Sequence, residues 1–461
     1  MTAPLHIVIL AAGKGTRMRS ALPKVLQPLG GRPMIAHVLE RARALHPAAI
    51  TVVVGHQAER VRAAAGAADL RFVEQVQQNG TGHAVNLALA GQDPASRVLV
   101  LYGDVPLIPR QDLEACVYAE ARLVVLGAEV ADPQGYGRLV EHPPGQLERI
   151  VEEREADAAL RRIRRINTGI LCAPAGDLQR WLAMGEAEAA RRQGEWYLTD
   201  VVAAARAEGL PVALAMSRTP QAVLGVNDRL QLVQQERLYQ RGRAEACMRD
   251  GLMLADPDRF DLRGELSFGA DCFIDINVLL EGQVRLGDRV RIGPGCRLRD
   301  VTVGDGVEID AYSVLEASSI DRDCHVGPFA RLRPGTRLEA GARVGNFVEV
   351  KNATLGPGAK ANHLTYLGDA EVGARANIGA GTITCNYDGA NKHRTRIGAD
   401  AFIGSNSALV APVTVGDGAT IGAGTVLTRD APPGALTLAR PPQETRTAWE
   451  RPRKTPKRSE D

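Results

Sequence analysis

Aliphatic residues recur at every sixth position through much of the C-terminal half of this chain. The runs are Ile320, Val326, Leu332, Leu338, Val344, Val350; Ile397, Ile403, Leu409, Val415, Ile421, Leu427; Leu286, Ile292, Leu298; and Val303, Ile309, Leu315. This period fits neither an α-helix nor an ordinary strand, and it is typical of a parallel β-helix built from hexapeptide repeats, in which inward aliphatic side chains stack coil upon coil. Glycines follow many of these positions, and we expect them to take strained backbone angles at the turns. Residues 356–396 keep the period badly, so we expect a loop that leaves the solenoid there.

The N-terminal half has a different rhythm, in which short apolar runs alternate with amphipathic stretches. LHIVIL, TVVVG and RVLVLYGD are apolar, whereas MIAHVLERARAL is amphipathic. This alternation predicts β-α units around a largely parallel sheet, where ligands bind at the carboxyl ends of the strands. Residues 227–250 lack proline and have a helical apolar period, which predicts one long connecting helix. The predicted domains are 1–226, this linker, and 251–461 with a mobile C-terminal tail.

Composition limits the classes of partner. The 461 residues include 56 Lys plus Arg against 54 Asp plus Glu, a balance that disfavours nucleic acid or an anionic membrane as the main partner. No apolar run approaches the roughly 20 residues of a membrane span, and we expect a soluble cytoplasmic protein. The seven cysteines are scattered and never spaced as CxxC, so we expect them to be reduced and mostly buried rather than paired or bound to zinc.

The segment LAAGKGTRMRSALPK, residues 10–24, follows the first apolar run. Gly13 and Gly15 let backbone amides approach a phosphate chain closely. The loop also carries three cations, Lys14, Arg17 and Lys24. Three cations suit a triphosphate better than a single phosphate. The segment is neither a Walker A loop nor a dinucleotide fingerprint, which needs a third glycine where this chain has Met18. Taken alone, it could equally be a solvated basic turn.

The form LxxGxGTRM followed by PK resembles the signature of the sugar-nucleotide pyrophosphorylases. Further matching segments are QVQQNGTGHAV at 75–85, LYGDVPL at 101–107, GYGRLVE at 135–141, IVEE at 150–153, INTGI at 166–170 and GVNDR at 225–229. With GNFVEVKNA, KANHLTYLGDA and GAGTITCNYDGANKH in the second half, the chain resembles, up to about Arg440, the bacterial bifunctional enzymes that make UDP-N-acetylglucosamine. The resemblance implies a Rossmann-like α/β nucleotidyltransferase domain followed by a left-handed parallel β-helix, assembled as a homotrimer with acyl-donor grooves between neighbours.

For the first half, the resemblance implies that N-acetylglucosamine 1-phosphate attacks the α-phosphorus of UTP and expels pyrophosphate. It implies that Asp104 and Asn227 hold Mg²⁺, although Asp104 could instead cap the next helix. Substrate-binding residues by resemblance are Leu10, Ala11, Ala12, Gly13, Arg17, Lys24, Gln75, Gly80, Thr81, Tyr102, Gly103, Asp104, Gly137, Glu152, Asn167 and Asn227. Lys24 would face phosphate and assist catalysis. Uracil would be bound by Gln75, Gly80 and Thr81, and the sugar by Tyr102, Gly137, Glu152 and Asn167.

For the second half, the resemblance implies that His363 takes a proton from the amine of glucosamine 1-phosphate, which then attacks acetyl-coenzyme A directly. Glu349 would orient or polarise His363. The sugar-phosphate residues would be Arg333, Lys351, Tyr366 and Asn377, and those of the coenzyme A groove Ala380, Asn386, Tyr387, Ser405, Ala423 and Arg440. Cys385 lies beside this groove and raises the possibility of a covalent acetyl-cysteine, but burial as a small hydrophobe fits its flanks better.

Three other functions fit parts of the pattern. A pyrophosphorylase for another base or sugar, with a regulatory solenoid, would lack the GNFVEVK, NHLTY and NYDG segments. A γ-type carbonic anhydrase needs three histidines on one metal, and the spacings of His325, His363 and His393 do not repeat by the coil. A non-enzymatic assembly subunit of the exchange-factor kind typically loses the acidic metal ligand or the loop lysine, whereas Asp104 and Lys24 are present.

Overall fold

The structure, a computed structural model, describes residues 3–66, 68–191, 196–439 and 441–452, apart from the side chains of residues 186–191. The chain divides into two compact units, residues 1–246 and 247–461. A single helix, Arg229–Arg249, fills the segment that was predicted to be helical. The division between the units falls near the C-terminal end of that helix, so most of it belongs to the first unit.

The first unit contains a nine-stranded sheet and a two-stranded one. Its strands are β1 (Leu5–Ala11), β2 (Pro28–Leu29), β3 (Arg32–Pro33), β4 (Ala49–Val54), β5 (Leu70–Glu74), β6 (Arg97–Tyr102), β7 (Leu123–Glu129), β8 (Arg138–Glu141), β9 (Leu147–Val151), β10 (Arg165–Pro174) and β11 (Val212–Met216). Its helices are α1 (Met34–Arg43), α2 (Ala58–Ala65), α3 (Thr81–Leu89), α4 (Arg110–Val117), α5 (Ala175–Arg191), α6 (Asp200–Ala207) and α7 (Arg229–Arg249), and its short 3-10 helices are Thr16–Met18, Lys24–Leu26, Leu160–Arg162 and Pro220–Val223.

The main sheet has the order β11-β7-β10-β6-β1-β4-β5, and β10 runs antiparallel to both of its neighbours. The other pairs along this path are parallel, so the prediction of a mostly parallel sheet is confirmed. Both faces are covered by helices. In β1, Ile7 and Ile9 belong to one buried cluster, and Val8 and Leu10 to the other. Because alternate side chains face opposite sides of a sheet, a strand covered on both faces is a continuous apolar run, which is why LHIVIL lacks alternation.

The second unit is a parallel β-helix. Its strands are Met253–Leu254, Phe260–Ser267, Phe273–Ile274, Val278–Leu286, Arg291–Ile292, Arg297–Val303, Glu308–Ile309, Val314–Ile320, His325–Val326, Arg331–Leu332, Arg337–Leu338, Arg343–Asn346, Glu349–Lys351, Thr354–Leu355, Lys360–His363, Tyr366–Gly368, Ala370–Val372, Asn377–Ile378, Ile383–Cys385, Thr395–Ile397, Phe402–Ile403, Ala408–Val410, Val413–Val415, Thr420–Ile421, Val426–Leu427 and Leu436–Thr437. They form parallel sheets of 11 and 15 strands, preceded by the short 3-10 helix Pro257–Arg259. Every aliphatic residue of the six-residue runs is at most 6% exposed, which confirms that these side chains point inward.

The glycines that follow the aliphatic positions have a different role from the predicted one. Apart from Gly327, those of the runs have ordinary backbone angles, so the expectation of strained turns is wrong for them. Instead, the next coil lies against them. A Cβ on Gly398 would come within 2.4 Å of Asp417, and one on Gly404 would come within 2.4 Å of the Ala423 backbone nitrogen. Successive coils approach too closely at these corners for any side chain.

A loop does leave the β-helix within 356–396, but it is much shorter than that segment. Strands continue through Ile383–Cys385, and only residues 386–394 leave the coil; we call them the inserted loop. Leu338 pairs with Leu355 and Leu355 with Val372, whereas Val372 pairs with Ile397, eight residues further along than a regular coil would place it. The six-residue period fails before the loop because these coils have 17 residues rather than 18.

The end of the chain has little regular structure. Residues 441–452 contain neither helix nor strand, while Arg440 and residues 453–461 lie outside the described residues, so the predicted mobility of the tail is not addressed there. Among the described residues, no helix is both long enough and apolar enough to cross a membrane. All seven cysteines are free, and all but the half-buried Cys385 are buried.

Candidate active sites

A cavity of about 510 Å³ opens at the carboxyl ends of β1 and β6 in the first unit. All the residues predicted for the first site line this cavity except Gly103. Gly103 instead lies behind the wall, where its N–H donates to the Leu10 carbonyl at 2.9 Å and ties the end of β6 to β1. The cavity therefore lies where ligands bind in parallel α/β sheets.

One end of the cavity holds a compact polar cluster. Lys24 Nζ forms an ion pair with Asp104 and lies 3.2 Å from Asn227 Oδ1, which also accepts from Arg17 at 3.0 Å. The side chains of Lys24 and Asp104 are only 16% and 13% exposed. Gly15 has φ of 59°, and a Cβ there would come 2.6 Å from Lys24 Cβ, so only glycine lets the loop close over this lysine. Two hard oxygen donors thus converge on one cationic point.

A second wall is formed by the loop before α3. Gln75 is buried, and its Nε2 donates to the Gly80 carbonyl at 3.0 Å. Gly80 has φ of 105°, and a Cβ there would come 2.3 Å from the Trp196 carbonyl oxygen. Thr81 Oγ1 accepts from the Leu198 N–H at 3.1 Å. The loop is therefore fixed against residues 196–198, which come from a distant part of the chain.

The opposite wall carries side chains suited to a sugar. Thr199 donates to Glu152 Oε1 at 3.1 Å, and Asn167 Oδ1 accepts from the Gly169 N–H at 3.0 Å. Gly169 has φ of 83° and packs against the ring of Tyr102, from which a Cβ would be only 2.5 Å distant. Burial and the nearby Asp104 carboxylate raise the pKa of Tyr102, so its phenol stays protonated and able to donate.

In the second unit, the predicted sugar-phosphate residues lie on the outward face of adjacent coils. Glu349 pairs in register with Tyr366 on the next coil, and its Oε1 accepts from Arg333 at 2.7 Å. The side chains of Arg333 and Glu349 are 36% and 38% exposed. Asn377 lies on the other sheet, in register with Lys360. These groups project from a surface rather than into a closed cavity.

His363 is exposed at the end of the strand Lys360–His363. Its Nδ1 lies 3.0 Å from Asn346 Oδ1, the residue in register on the preceding coil. Because an amide oxygen can only accept, Nδ1 carries the hydrogen and Nε2 is the basic nitrogen. The orienting contact therefore comes from Asn346, whereas Glu349, to which the resemblance gives that role, holds Arg333.

Beside this face, the inserted loop brings Lys392 into contact with Lys351. The second ammonium lowers the pKa of Lys351, and Arg333 adds to the effect. Within the loop, Tyr387 pairs with Lys392, and the Asp388 carboxylate accepts from the Ala390 and Asn391 N–H groups and pairs with His393. The three cations form a patch suited to a phosphate.

The small residues assigned to the coenzyme A groove succeed one another at one corner of the β-helix. The Asn406 N–H donates to the Ala380 carbonyl at 2.8 Å, and the Gly424 N–H donates to the Ser405 carbonyl at 2.8 Å. A Cβ on Gly404 would nearly touch the backbone of Ala423, so these coils are in contact. Asn386 and Tyr387 begin the inserted loop, and Arg440 lies outside the described residues.

Comparison with known proteins decides the family. Residues 7–170 match the MobA-like NTP transferase domain, and residues 394–429 match the hexapeptide repeat of succinyl-transferase. The bifunctional protein GlmU of Alkalilimnicola ehrlichii is 54% identical over 461 residues, covering 100% of this chain and 99% of the relative. Those of Stenotrophomonas maltophilia and Xanthomonas campestris pv. campestris are 54% and 56% identical over 455 residues, covering 98% of this chain and 100% of each relative. The chain belongs to the bifunctional GlmU family.

Membership of the GlmU family gives the chain two activities. The hexapeptide domain transfers acetyl from acetyl-coenzyme A to glucosamine 1-phosphate. The nucleotidyltransferase domain then transfers uridylyl from UTP to N-acetylglucosamine 1-phosphate, which releases pyrophosphate and forms UDP-N-acetylglucosamine. His325 contacts Glu308 and Asp310, whereas His393 contacts Asp388, so the histidines considered for a carbonic anhydrase have separate surroundings.

Several residues at the GlmU sites were not predicted from the sequence. In the first cavity they include Gln78, whose Nε2 donates to the Ala12 carbonyl at 2.6 Å, and the wall residues Tyr136, Tyr197 and Thr199. In the second unit they are Asn346 and Lys392. Tyr136 lies within the GYGRLVE segment, which was a usable signal. The WYLTD stretch of Tyr197 and Thr199 carries no motif that marks it.

Proposed function

We propose that the residues lining the first cavity perform the uridylyl transfer, with Mg²⁺ held by Asp104 and Asn227. The observation that carries this proposal is the meeting of Lys24, Asp104 and Asn227 at one point. Two oxygen donors that already face a single ammonium fit a magnesium ion, which takes few protein ligands and completes its shell with phosphates and waters. A bound Mg²⁺ neutralises charge on the triphosphate.

The protein's own groups supply position and charge in this step. Lys24 and Arg17 bind the phosphates of UTP, while the backbone amides after β1 line the same path. Gln75, Gly80 and Thr81 bind uracil, and Glu152 and Asn167 bind the hydroxyl and N-acetyl groups of the sugar. A phosphate oxygen of N-acetylglucosamine 1-phosphate attacks the α-phosphorus, and the bond to the pyrophosphate leaving group breaks. Such transfers depend on positioning more than on covalent chemistry by the enzyme.

For acetyl transfer we propose that His363 Nε2 takes the proton from the amine of glucosamine 1-phosphate. The amine nitrogen then bonds to the thioester carbonyl carbon, and the coenzyme A thiolate leaves. Arg333 and Lys351 bind the sugar phosphate, and Glu349 keeps the Arg333 guanidinium in place. Coenzyme A lies along the corner of Ala380, Asn386, Tyr387, Ser405 and Ala423, with Arg440 on a phosphate; Tyr366 and Asn377 complete the sugar pocket.

We also propose that the chain acts as a homotrimer in the cytoplasm. Beside His363, an outward column of Tyr312, Phe329, Phe347 and Leu364 is 57%, 49%, 57% and 62% exposed. Its successive aromatic rings stack with centroids 5.2 and 5.5 Å apart. An apolar column of this kind supports coverage by a neighbouring subunit, which would also close the acyl-donor groove. The unpaired cysteines fit a reducing compartment.

One experiment tests the order and independence of the two reactions. Purified protein receives glucosamine 1-phosphate, acetyl-coenzyme A, UTP and Mg²⁺, and each reagent is omitted in turn. We expect UDP-N-acetylglucosamine only from the complete mixture, N-acetylglucosamine 1-phosphate without UTP, and continued acetyl transfer when a chelator removes Mg²⁺. Uridylyl transfer that persists in excess chelator would contradict the assignment of the metal to Asp104 and Asn227.

A further inference from the structure

Asp369 is a carboxylate on the β-helix to which the chemistry above gives no role. It is only 8% exposed, although it occupies a corner of the coil with φ of 47°. One carboxylate oxygen accepts from Asn352 Nδ2 at 2.5 Å, and the other accepts from Asn386 Nδ2 at 2.5 Å. Both oxygens are therefore used by amides from the preceding and the following coil.

The same residue holds both ends of the inserted loop. Its side chain binds Asn386, where the loop begins, and its backbone carbonyl accepts from the Thr395 N–H at 3.2 Å, where the next strand begins. Its own N–H donates to the Lys351 carbonyl at 3.0 Å. Between these points the loop closes on itself, since the His393 N–H donates to the Asn386 carbonyl at 2.8 Å. Asp369 thus connects the base of the loop to the strand that carries Lys351.

The charges around Asp369 give this connection a second purpose. Burial alone would raise its pKa, but the two amide hydrogen bonds, together with Lys392 and Lys351, lower the pKa below its usual value. The carboxylate is therefore ionised beside two ammonium groups that contact each other and would otherwise repel. Since Lys392 lies on the inserted loop, this repulsion would push the loop away from Lys351.

We propose that Asp369 is a positioning residue that fixes the inserted loop, so that Asn386 and Tyr387 reach the acetyl donor while Lys392 stays beside Lys351 at the phosphate of the acceptor. The proposal rests on the proposed acetyl-transfer site. It makes one carboxylate set the geometry of the donor and acceptor pockets together, without touching either substrate.

The test compares Asp369→Asn with a matched control in the full-length chain. The amide retains the size of the side chain but removes the charge and leaves one neighbouring amide without an acceptor. The control is Asp300→Asn, a corner carboxylate with φ of 54° that accepts from the Gln283 N–H at 2.9 Å, four coils nearer the N-terminus. Asn352→Ala, which leaves the bond to Asn386 in place, is a milder second variant. Uridylyl transfer reports whether each variant is folded.

We expect Asp369→Asn to raise KM about tenfold for both acetyl-coenzyme A and glucosamine 1-phosphate, because a hydrogen bond to a charged group is lost. We expect kcat to change less than about threefold, since the Asn346–His363 contact is untouched. Asn352→Ala should raise both KM values about two- to threefold, and Asp300→Asn should change neither. A merely structural role would instead lower kcat with the fraction of folded protein and leave both KM values unchanged, and that result overturns the proposal.

Hydrogen exchange supplies a readout that does not depend on the assigned reaction. In Asp369→Asn, the backbone amides of His393 and Thr395 should exchange about tenfold faster than in the unmodified chain, whereas Asp300→Asn should leave them unchanged. Unchanged exchange in Asp369→Asn overturns the positioning role. If the unmodified chain fails to acetylate glucosamine 1-phosphate, the proposed acetyl-transfer site falls, and the exchange rates still decide whether Asp369 fixes the loop.

Discussion

The cavity of the first unit encloses its polar residues, whereas the polar residues of the second unit lie along an outward face. Lys24 and Asp104 are largely shielded by their own unit, while Arg333, Glu349 and His363 are substantially exposed. The difference follows from architecture. In a parallel α/β sheet, loops from several strands meet at one edge and surround a ligand. In a β-helix each coil contacts only its neighbours, so side chains form columns and a pocket needs a second surface.

The largest expected effect tests whether the enclosed site works alone. Asp104→Ala should reduce kcat/KM for uridylyl transfer about a thousandfold, because it removes an oxygen donor from the charge-neutralising cluster. Acetyl transfer should remain unchanged, since Asp104 belongs to the other unit. The two activities are measured separately, as pyrophosphate release and as free coenzyme A thiol. Loss of both activities in a folded variant would contradict independent sites.

The reciprocal change addresses the exposed site. His363→Ala should reduce acetyl transfer at least about a hundredfold, the usual contribution of a general base, and leave uridylyl transfer intact. The reaction is followed with saturating acetyl-coenzyme A and glucosamine 1-phosphate. Uridylyl transfer in the same preparation is the control for folding. Acetyl transfer that survives at more than about a tenth of its rate would mean that another group takes the amine proton.

Much of the fold could be predicted because the β-helix stacks identical positions on one another. Leu332 and Val350, which lie opposite each other on adjacent coils, are both buried at positions that the six-residue period specifies. The period does not contain the distance between coils, so it could not show that Gly398 is required by contact with Asp417. It also fails where coils shorten to 17 residues, which made the inserted loop seem longer than it is.

The sites were predictable only where a local motif marks them. Lys24, Asp104 and Asn227 each lie in such a segment, and folding brings them together. Thr199 reaches the first cavity because residues 196–198 bind the loop before α3 through backbone hydrogen bonds, which any sequence could supply. Lys392 reaches Lys351 only through the fold of the inserted loop. Contacts of this kind leave no trace in composition or spacing.

A smaller effect would sharpen the view that neighbouring coils organise the exposed site. Asn346→Ala should lower kcat for acetyl transfer about tenfold, because loss of one hydrogen bond leaves the His363 ring free to rotate and to change tautomer. Both KM values should stay within about twofold, since the substrate-binding groups are on other residues. Glu349→Gln is the comparison. If Glu349→Gln lowers kcat while Asn346→Ala does not, the orienting role belongs to Glu349 after all.

The smallest expected effect concerns the half-buried Cys385, which ends a strand beside the inserted loop. A covalent route would need its thiolate to attack acetyl-coenzyme A and the acetyl-cysteine to wait for the amine. The thiol instead belongs to a strand whose backbone is paired with Ala408–Val410, and the base His363 is held by Asn346 on another coil. Cys385→Ala should therefore keep acetyl transfer within about twofold, because a small residue replaces a small residue. Mass spectrometry of the unmodified protein after incubation with acetyl-coenzyme A alone should show no added acetyl group. An acetylated Cys385 together with an inactive alanine variant would replace direct transfer by a two-step reaction, and the exposed face would then use covalent chemistry that the enclosed cavity does without.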